Sequence, residues 1–167
     1  MPFNISLVRV DNRLVHGQIL EAWLPFTDAS SIIIPNDSLA SDMFRETIMR
    51  MALPRDIELH IYSLDDFQKR HQSTKGKEQD RKTLILFADI QDAFAAYEKG
   101  FHFTTLNIGN VHSNPFIITC SPSVFLNEED IDLLVQLSQK KGVRIDVRRI
   151  PKEKPVDIRP IFKNYLD

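Results

Sequence analysis

Asp11, Arg13 and His16 stand in a D-x-R-x-x-H spacing, followed at once by Gly17 and Gln18. These residue types suit phosphoryl chemistry on a histidine. An imidazole with an ordinary pKa near ~6.5 is largely neutral and nucleophilic around neutral pH. Arg13 offers a planar fork of donors that stays charged throughout. Asp11 can hold Arg13, or it can hold one ring nitrogen of His16 and leave the other free to react. Phosphoryl transfer depends mainly on positioning and on stabilising charge at the phosphoryl oxygens, so neither metal nor nucleotide is required. Gly17 permits close backbone approach, and the N–H groups that open a helix can face an anion. The blander role for the same residues is a histidine that merely starts a helix, since so short a spacing also arises by chance.

The other histidines point to chemistry less strongly. His60 falls inside an alternating strand pattern, His71 in a charged stretch, and His102 just after a helix terminator. His112 follows a strand and can approach the same edge as His16. No pair has the HxxxH spacing of a helical metal site, and no metal is expected. Asn36, Asp37 and Ser63 end strands. They can line the mouth around His16 together with Gly109 and His112, or serve only as turn and helix caps. The single cysteine, Cys120, excludes an internal disulfide and a CxxC site; it reads as a structural thiol. Trp23 reads as core.

The elements that position these residues alternate. Strands are expected at Ile5 to Val10, Ser31 to Ile34, Glu58 to Tyr62, Thr83 to Phe87 and Thr105 to Ile108, with later ones at Phe116 to Thr119 and Val143 to Ile150. Continuous Ile/Leu runs are the mark of strands buried on both faces. A helix from Gly17 must stop at Leu24, because proline disfavours helix at the residue before it. Asp42 to Met51 places Phe44, Ile48 and Met51 on one stripe. Ser63 and Asp66 make a capping-box pattern, and Asp89 caps a helix ended by Gly100. Asn127 to Lys141 has a cap, an acidic first turn, a basic last turn and Gly142 as left-handed terminator. The fold class is α/β: one open, mostly parallel sheet with helices on both faces and antiparallel edge strands. Ligands of such sheets bind beyond the carboxyl ends of the strands, where the His16 loop lies.

Composition narrows the function. At 167 residues, 43% hydrophobic and 26% charged, the chain is expected to form one domain over 1–167, with 151–167 an irregular tail onto which Ile158, Ile161 and Phe162 can dock. Only five residues are glycine, and neither GxGxxG nor GxxxxGK[ST] occurs, so no nucleotide cofactor is expected. Gly76 reads as a loop residue within the charged, solvated run Gln68 to Lys82. A net charge of −2 gives no general reason to bind nucleic acid. The first residues lack the pattern of a signal peptide, and no apolar run approaches the length of a membrane helix. A cytoplasmic setting fits.

Arg9-Val10-Asp11-Asn12-Arg13-Leu14-Val15-His16-Gly17-Gln18 resembles the R-[IV]-D-x-R-[LV]-[IV]-H-G-Q signature of the IIB components of the mannose/fructose/sorbose family of the bacterial phosphotransferase system. Trp23, Ser31 to Asp37, Met51 to Pro54, Leu106 to Gly109 and Lys141 to Arg149 follow in that family's order. The resemblance implies a transferase component that works in the cytoplasm. His16 would accept a phosphoryl group from a phosphohistidine of a IIA partner, with Arg13 and the backbone of Gly17 and Gln18 steadying it. The group would pass to a sugar carried by membrane IIC and IID components, which can hold the protein at the inner face of the membrane. A homo-oligomer is compatible with this. Where such proteins often carry two adjacent glycines after the fifth strand, this chain has Gly109-Asn110. Two other readings stand beside it: a regulatory phosphohistidine module without a permease, and a small hydrolase using His16 as base with Asp11 or Asp37.

Overall fold

The computed structural model describes residues 3–73 and 80–163; Gly76 and part of the charged run 68–82 lie outside them. The core of the sheet is four strands that the Ile/Leu runs specify: β1 (Asn4–Asp11), β2 (Ser31–Pro35), β3 (Glu58–Tyr62) and β4 (Lys82–Phe87). Beyond them come β5 (Thr105–His112), β6 (Ile118–Ser121), β7 (Val124–Leu126) and β8 (Arg144–Asp146). The order is β3-β2-β4-β1-β5-β7-β6, with β8 paired to the first half of β5. The pairings named among these strands are parallel except β6 with β7, which supplies the antiparallel edge. The short β7 is an element that the sequence reading lacks.

Side chains alternate between the two faces of the sheet, and each face has its own core. Ile33, Ile85, Phe87, Val8 and Val10 pack with one set of helices. Ile32, Ile34, Leu84 and Leu86 pack on the other face with Leu14, Ile19 and Trp23. In β1, Leu7, Arg9 and Asp11 alternate toward this second face, so a cation and a carboxylate enter an otherwise apolar layer.

The helix after β1 corrects one expectation. It does not stop at Leu24. A π-helical stretch Gln18–Trp23 runs straight into α-helical Leu24–Thr27, together called α1. Proline lacks an N–H and its ring crowds the carbonyl four residues back. The wider π turn, in which the Leu24 N–H donates to the Ile19 carbonyl, relieves that crowding and lets the helix carry Pro25 without breaking. The helix ends at Asp28, whose φ is +53°.

Short α2 (Asp37–Ala40) and α3 (Met43–Ala52) follow β2. The stripe Phe44, Ile48, Met51 forms as a stripe, yet α3 buries no residue and all three remain exposed. The helix instead turns Met49 to the core, and Leu53 just beyond its end packs there too, so the Phe44–Ile48–Met51 stripe is left on the outer side. α4 (Leu64–Gln72) is capped by Ser63, and α5 (Ile90–Glu98) by Asp89. His71 lies on α4 and packs among Phe67, Phe101 and Phe3, not in an open loop; burial lowers its pKa first, with nearby positive charge adding to it. α6 (Glu128–Val135, continuing as π-helical Gln136–Lys140) carries the full capping box of Asn127 with Asp130. Gly142 follows it at φ +70°. In α7 (Arg159–Phe162), Ile158 and Phe162 at its two ends are buried.

Candidate functional site

The reactive loop leaves the carboxyl end of β1 between β4 and β5. Asn12 staples it to both neighbours: its Nδ2 donates to the Ala88 carbonyl at 2.7 Å and its Oδ1 accepts from the His112 N–H at 2.7 Å. The backbone N–H of Leu14 closes a turn onto the Asp11 carbonyl, at a φ of +57° that a branched side chain rarely adopts. Burial of the Leu14 side chain beside Ile19 and Trp23 holds that conformation. The chain then enters α1, and the Ile19 and Leu20 N–H groups both donate to the His16 carbonyl.

This reversal lays the His16 ring over Asp11. Asp11 is fully buried and its Oδ2 lies 2.8 Å from His16 Nε2. The same oxygen accepts from Arg9 Nη2 at 2.9 Å and from Asn110 Nδ2 at 2.9 Å, while Oδ1 accepts from the Arg13 N–H at 2.9 Å. Burial pushes the Asp11 carboxyl upward, but the His16 hydrogen bond, the Arg9 charge and the Asn110 bond outweigh it and hold the carboxyl below its ordinary range. An ionised carboxylate only accepts, so the proton of the neutral ring sits on Nε2. The lone pair is then on Nδ1, which is buried and has no hydrogen-bond partner. Of the two roles open to Asp11, the structure shows the hold on His16; its contact with Arg13 is to the backbone only.

Arg9 is the residue that sequence reasoning passed over. Its guanidinium is fully buried and donates to Asp11, to Asn107 Oδ1 at 2.6 Å, to the Arg148 carbonyl at 3.1 Å and to Gln18 Oε1 at 3.2 Å. Burial lowers its pKa, opposed by Asp11. Its ring partner is Trp23, 5.2 Å from the guanidinium carbon, with Arg148 also near the same ring at 5.7 Å. Trp23 is core, as expected, and its Nε1 donates to the Arg149 carbonyl at 2.7 Å. A signal for Arg9 was available: it stands two residues before Asp11, hence on the same face of the strand. Asn107 and Asn110 were visible too, as amides in a strand that is otherwise buried.

Gln18 divides its roles. Its side chain accepts from Arg9 and from Asn110 at 3.0 Å, so it belongs to the support of the carboxylate, and only its backbone faces the helix start. Gly17 is exposed, with open space where a Cβ would point. Arg13 is exposed beside the loop. Gly109 lies beneath the Arg9 guanidinium and not at the surface of the site. His112 reaches the loop through its backbone N–H, while its ring stacks on Phe125. Asn36, Asp37 and Ser63 act elsewhere: Asn36 caps α2 and donates to Asp92, Asp37 accepts from the Leu64 N–H, and Ser63 caps α4. None of these bonds reaches His16. Cys120 is half-buried, and burial pushes its thiol up to about 11, which makes it a poor nucleophile. Among the described residues no group of His, Cys, Asp and Glu is arranged to hold a metal ion.

A histidine fixed by a buried carboxylate at the carboxyl edge of an open parallel sheet is an arrangement suited to a phosphoryl-carrier class of domain. The chain belongs to the family described as PTS system sorbose subfamily IIB component, which it matches over residues 5–166. It is 31% identical to the sorbose-specific EIIB component of Klebsiella pneumoniae over 154 residues, 92% of each chain. It is 29% identical to the fructose-specific EIIB component of Bacillus subtilis over 161 residues, covering 96% of this chain and 97% of that one. The crystal structure of manxB from Thermoanaerobacter tengcongensis superposes with a TM-score of 0.88 at 30% identity, covering 99% and 98% of the two chains. The protein is thus a phosphotransferase component of a sugar phosphotransferase system, and the reading as a regulatory module without a permease is not favoured. Among the described residues no helix is long and apolar enough to cross a membrane.

Proposed function

We propose that His16 accepts a phosphoryl group on Nδ1 from a phosphohistidine of a IIA component and passes it to a sugar held by membrane IIC and IID components, the protein acting in the cytoplasm. The observation that carries this is the pairing of His16 Nε2 with the ionised Asp11. It leaves Nδ1 as the one ring atom with a lone pair. In the first step that lone pair attacks phosphorus, the P–N bond to the donor breaks, and the donor imidazole leaves. Phosphorylated His16 gains positive charge on the ring, which Asp11 stabilises across 2.8 Å. Arg13 gives a charged fork to the phosphoryl oxygens, and the N–H groups of Gly17 and Gln18, which open α1, have no partner in the preceding turn. In the second step a sugar hydroxyl oxygen attacks phosphorus, the P–Nδ1 bond breaks, the neutral His16 ring leaves with its proton still on Nε2, and the hydroxyl proton is released on the acceptor side. The His16 ring is only 9% exposed, so the donor must displace what covers Nδ1; the open side is at Gly17.

Incubation with phosphoenolpyruvate, enzyme I, HPr and a cognate IIA tests this. The expected product carries one acid-labile phosphate, with phosphorus–nitrogen coupling to Nδ1 in NMR of ¹⁵N-histidine protein, and His16→Ala takes up none while keeping its fold. Label that persists in His16→Ala overturns the assignment.

A further inference from the structure

A cleft of about 790 Å³ opens between the loop after β5 and the first turns of α6. Apolar Pro115, Ile117, Ile131 and Val135 line it together with Asn127 and the carboxylates of Glu128, Glu129 and Asp132. Those three carboxylates are exposed, and among the described residues no cation lines the cleft. Phe116 and Ile117 are each about half exposed beside it, at 51% and 53%. Isolated exposed apolar residues need no explanation, but two large ones adjoining this cleft form a surface suited to a partner.

The cleft adjoins the reactive loop. The His112 N–H that donates to Asn12 Oδ1 is followed directly by Ser113, whose hydroxyl donates to Asp130 of α6, and two residues on by Pro115 in the cleft wall. A partner seated there is therefore on the same edge of the sheet as His16.

We propose that this cleft docks a basic, apolar-tipped segment of the membrane component that receives the phosphoryl group; this rests on the function proposed above. The charge selects the occupant. The carboxylates attract Lys and Arg, and cytoplasmic loops of membrane proteins carry an excess of both. A second copy of this chain in a two-fold dimer would bring the same carboxylates face to face, which is unfavourable.

The test uses the full chain with Glu128→Gln/Glu129→Gln together, and separately Ile117→Ser. Asn127 and Asp130 keep the helix cap intact in both. Each variant is phosphorylated through IIA, then offered to inverted vesicles bearing the cognate membrane components and their sugar. The expected result is an unchanged rate of phosphorylation by IIA, and a KM for the vesicle step raised about tenfold with kcat unchanged. The charge variant should also lose most of the salt dependence of that KM. An unchanged KM overturns the proposal. So does a loss confined to the IIA step, which would seat the donor on this face. Wild-type protein that takes no phosphate at all would instead overturn the function proposed for His16.

Discussion

Gly109 and Arg9 share one space: a Cβ built on Gly109 would stand 1.8 Å from Arg9 Nη2 and 2.0 Å from its guanidinium carbon. The backbone of β5 is thus the floor on which the cation lies. An arginine at the surface would swing aside, but this one is tied to Asp11, Asn107, Gln18 and the Arg148 carbonyl. Gly109→Ala must therefore expel a buried charge from its partners. We expect a loss of about 3 kcal/mol or more in denaturant unfolding, together with loss of phosphoryl uptake. An alanine variant of wild-type stability would show that the guanidinium is not confined there.

Asp11→Asn removes the charge that fixes the ring. The amide can present its NH2 to Nε2 and so favour the tautomer with the proton on Nδ1, and it takes from Arg9 the carboxylate its guanidinium touches. Uptake of phosphate from IIA should fall by on the order of 10³ or more, with a stability cost of about 3 kcal/mol. The tautomer shift is read directly from the ¹⁵N shifts of His16. Nitrogen shifts identical to wild type would argue against the orienting role.

Arg13→Lys separates transfer from folding. Arg13 is exposed and its side chain takes no part in the hydrogen bonds that fix the loop, so the melting temperature should stay within about a degree. A point charge replaces a planar fork, and single-turnover transfer should slow by about tenfold. A rate equal to wild type would remove Arg13 from the mechanism.

Asp92 gives the protein a dependence on pH that is separate from His16. Burial first, and then the charge of Asp89 and that of Asp37, raise its carboxyl from 3.8 to about 6, against the opposing bond from Asn36 at 2.7 Å. The folded state therefore keeps a proton that the unfolded chain has released. Its contribution is present at pH below 3.8 and is lost as pH rises through about 6. Asp92→Asn keeps an oxygen for the Asn36 amide and has no charge to bury. It should be more stable than wild type at pH 7, by about 1 kcal/mol after solvent screening, and the difference should vanish near pH 4. Equal unfolding curves at pH 7 would show that the folded protein does not raise the Asp92 carboxyl.

The sheet was readable because its central strands are unbroken apolar runs, which few other structures accommodate. The loop was readable because Asp11, Arg13 and His16 are neighbours in the chain. What escaped were relationships that only the assembled sheet creates. Asn110 lends Asp11 a further donor from 99 residues away. Pro25 misled because the rule against helix before proline assumes an ordinary turn, and the preceding turn is a π turn. Phe44, Ile48 and Met51 misled differently: an apolar stripe shows which side of a helix is apolar, not whether that side meets the protein's own core. His71 joined an aromatic cluster to which Phe3 and Phe101 come from distant segments.

The Arg9 guanidinium donates to the carbonyl of a residue 139 positions later, and Trp23 to one 126 positions later. Contacts of such sequence separation close late in folding, after the local ones. A nascent chain that ends before Arg148 already contains His16 and its whole motif, yet lacks the carbonyls that satisfy Arg9 and Trp23. The reactive histidine thus precedes in synthesis the segment around Arg148 and Arg149 that completes the surroundings of Arg9 and Trp23, so the motif and its support are joined only by the folded sheet.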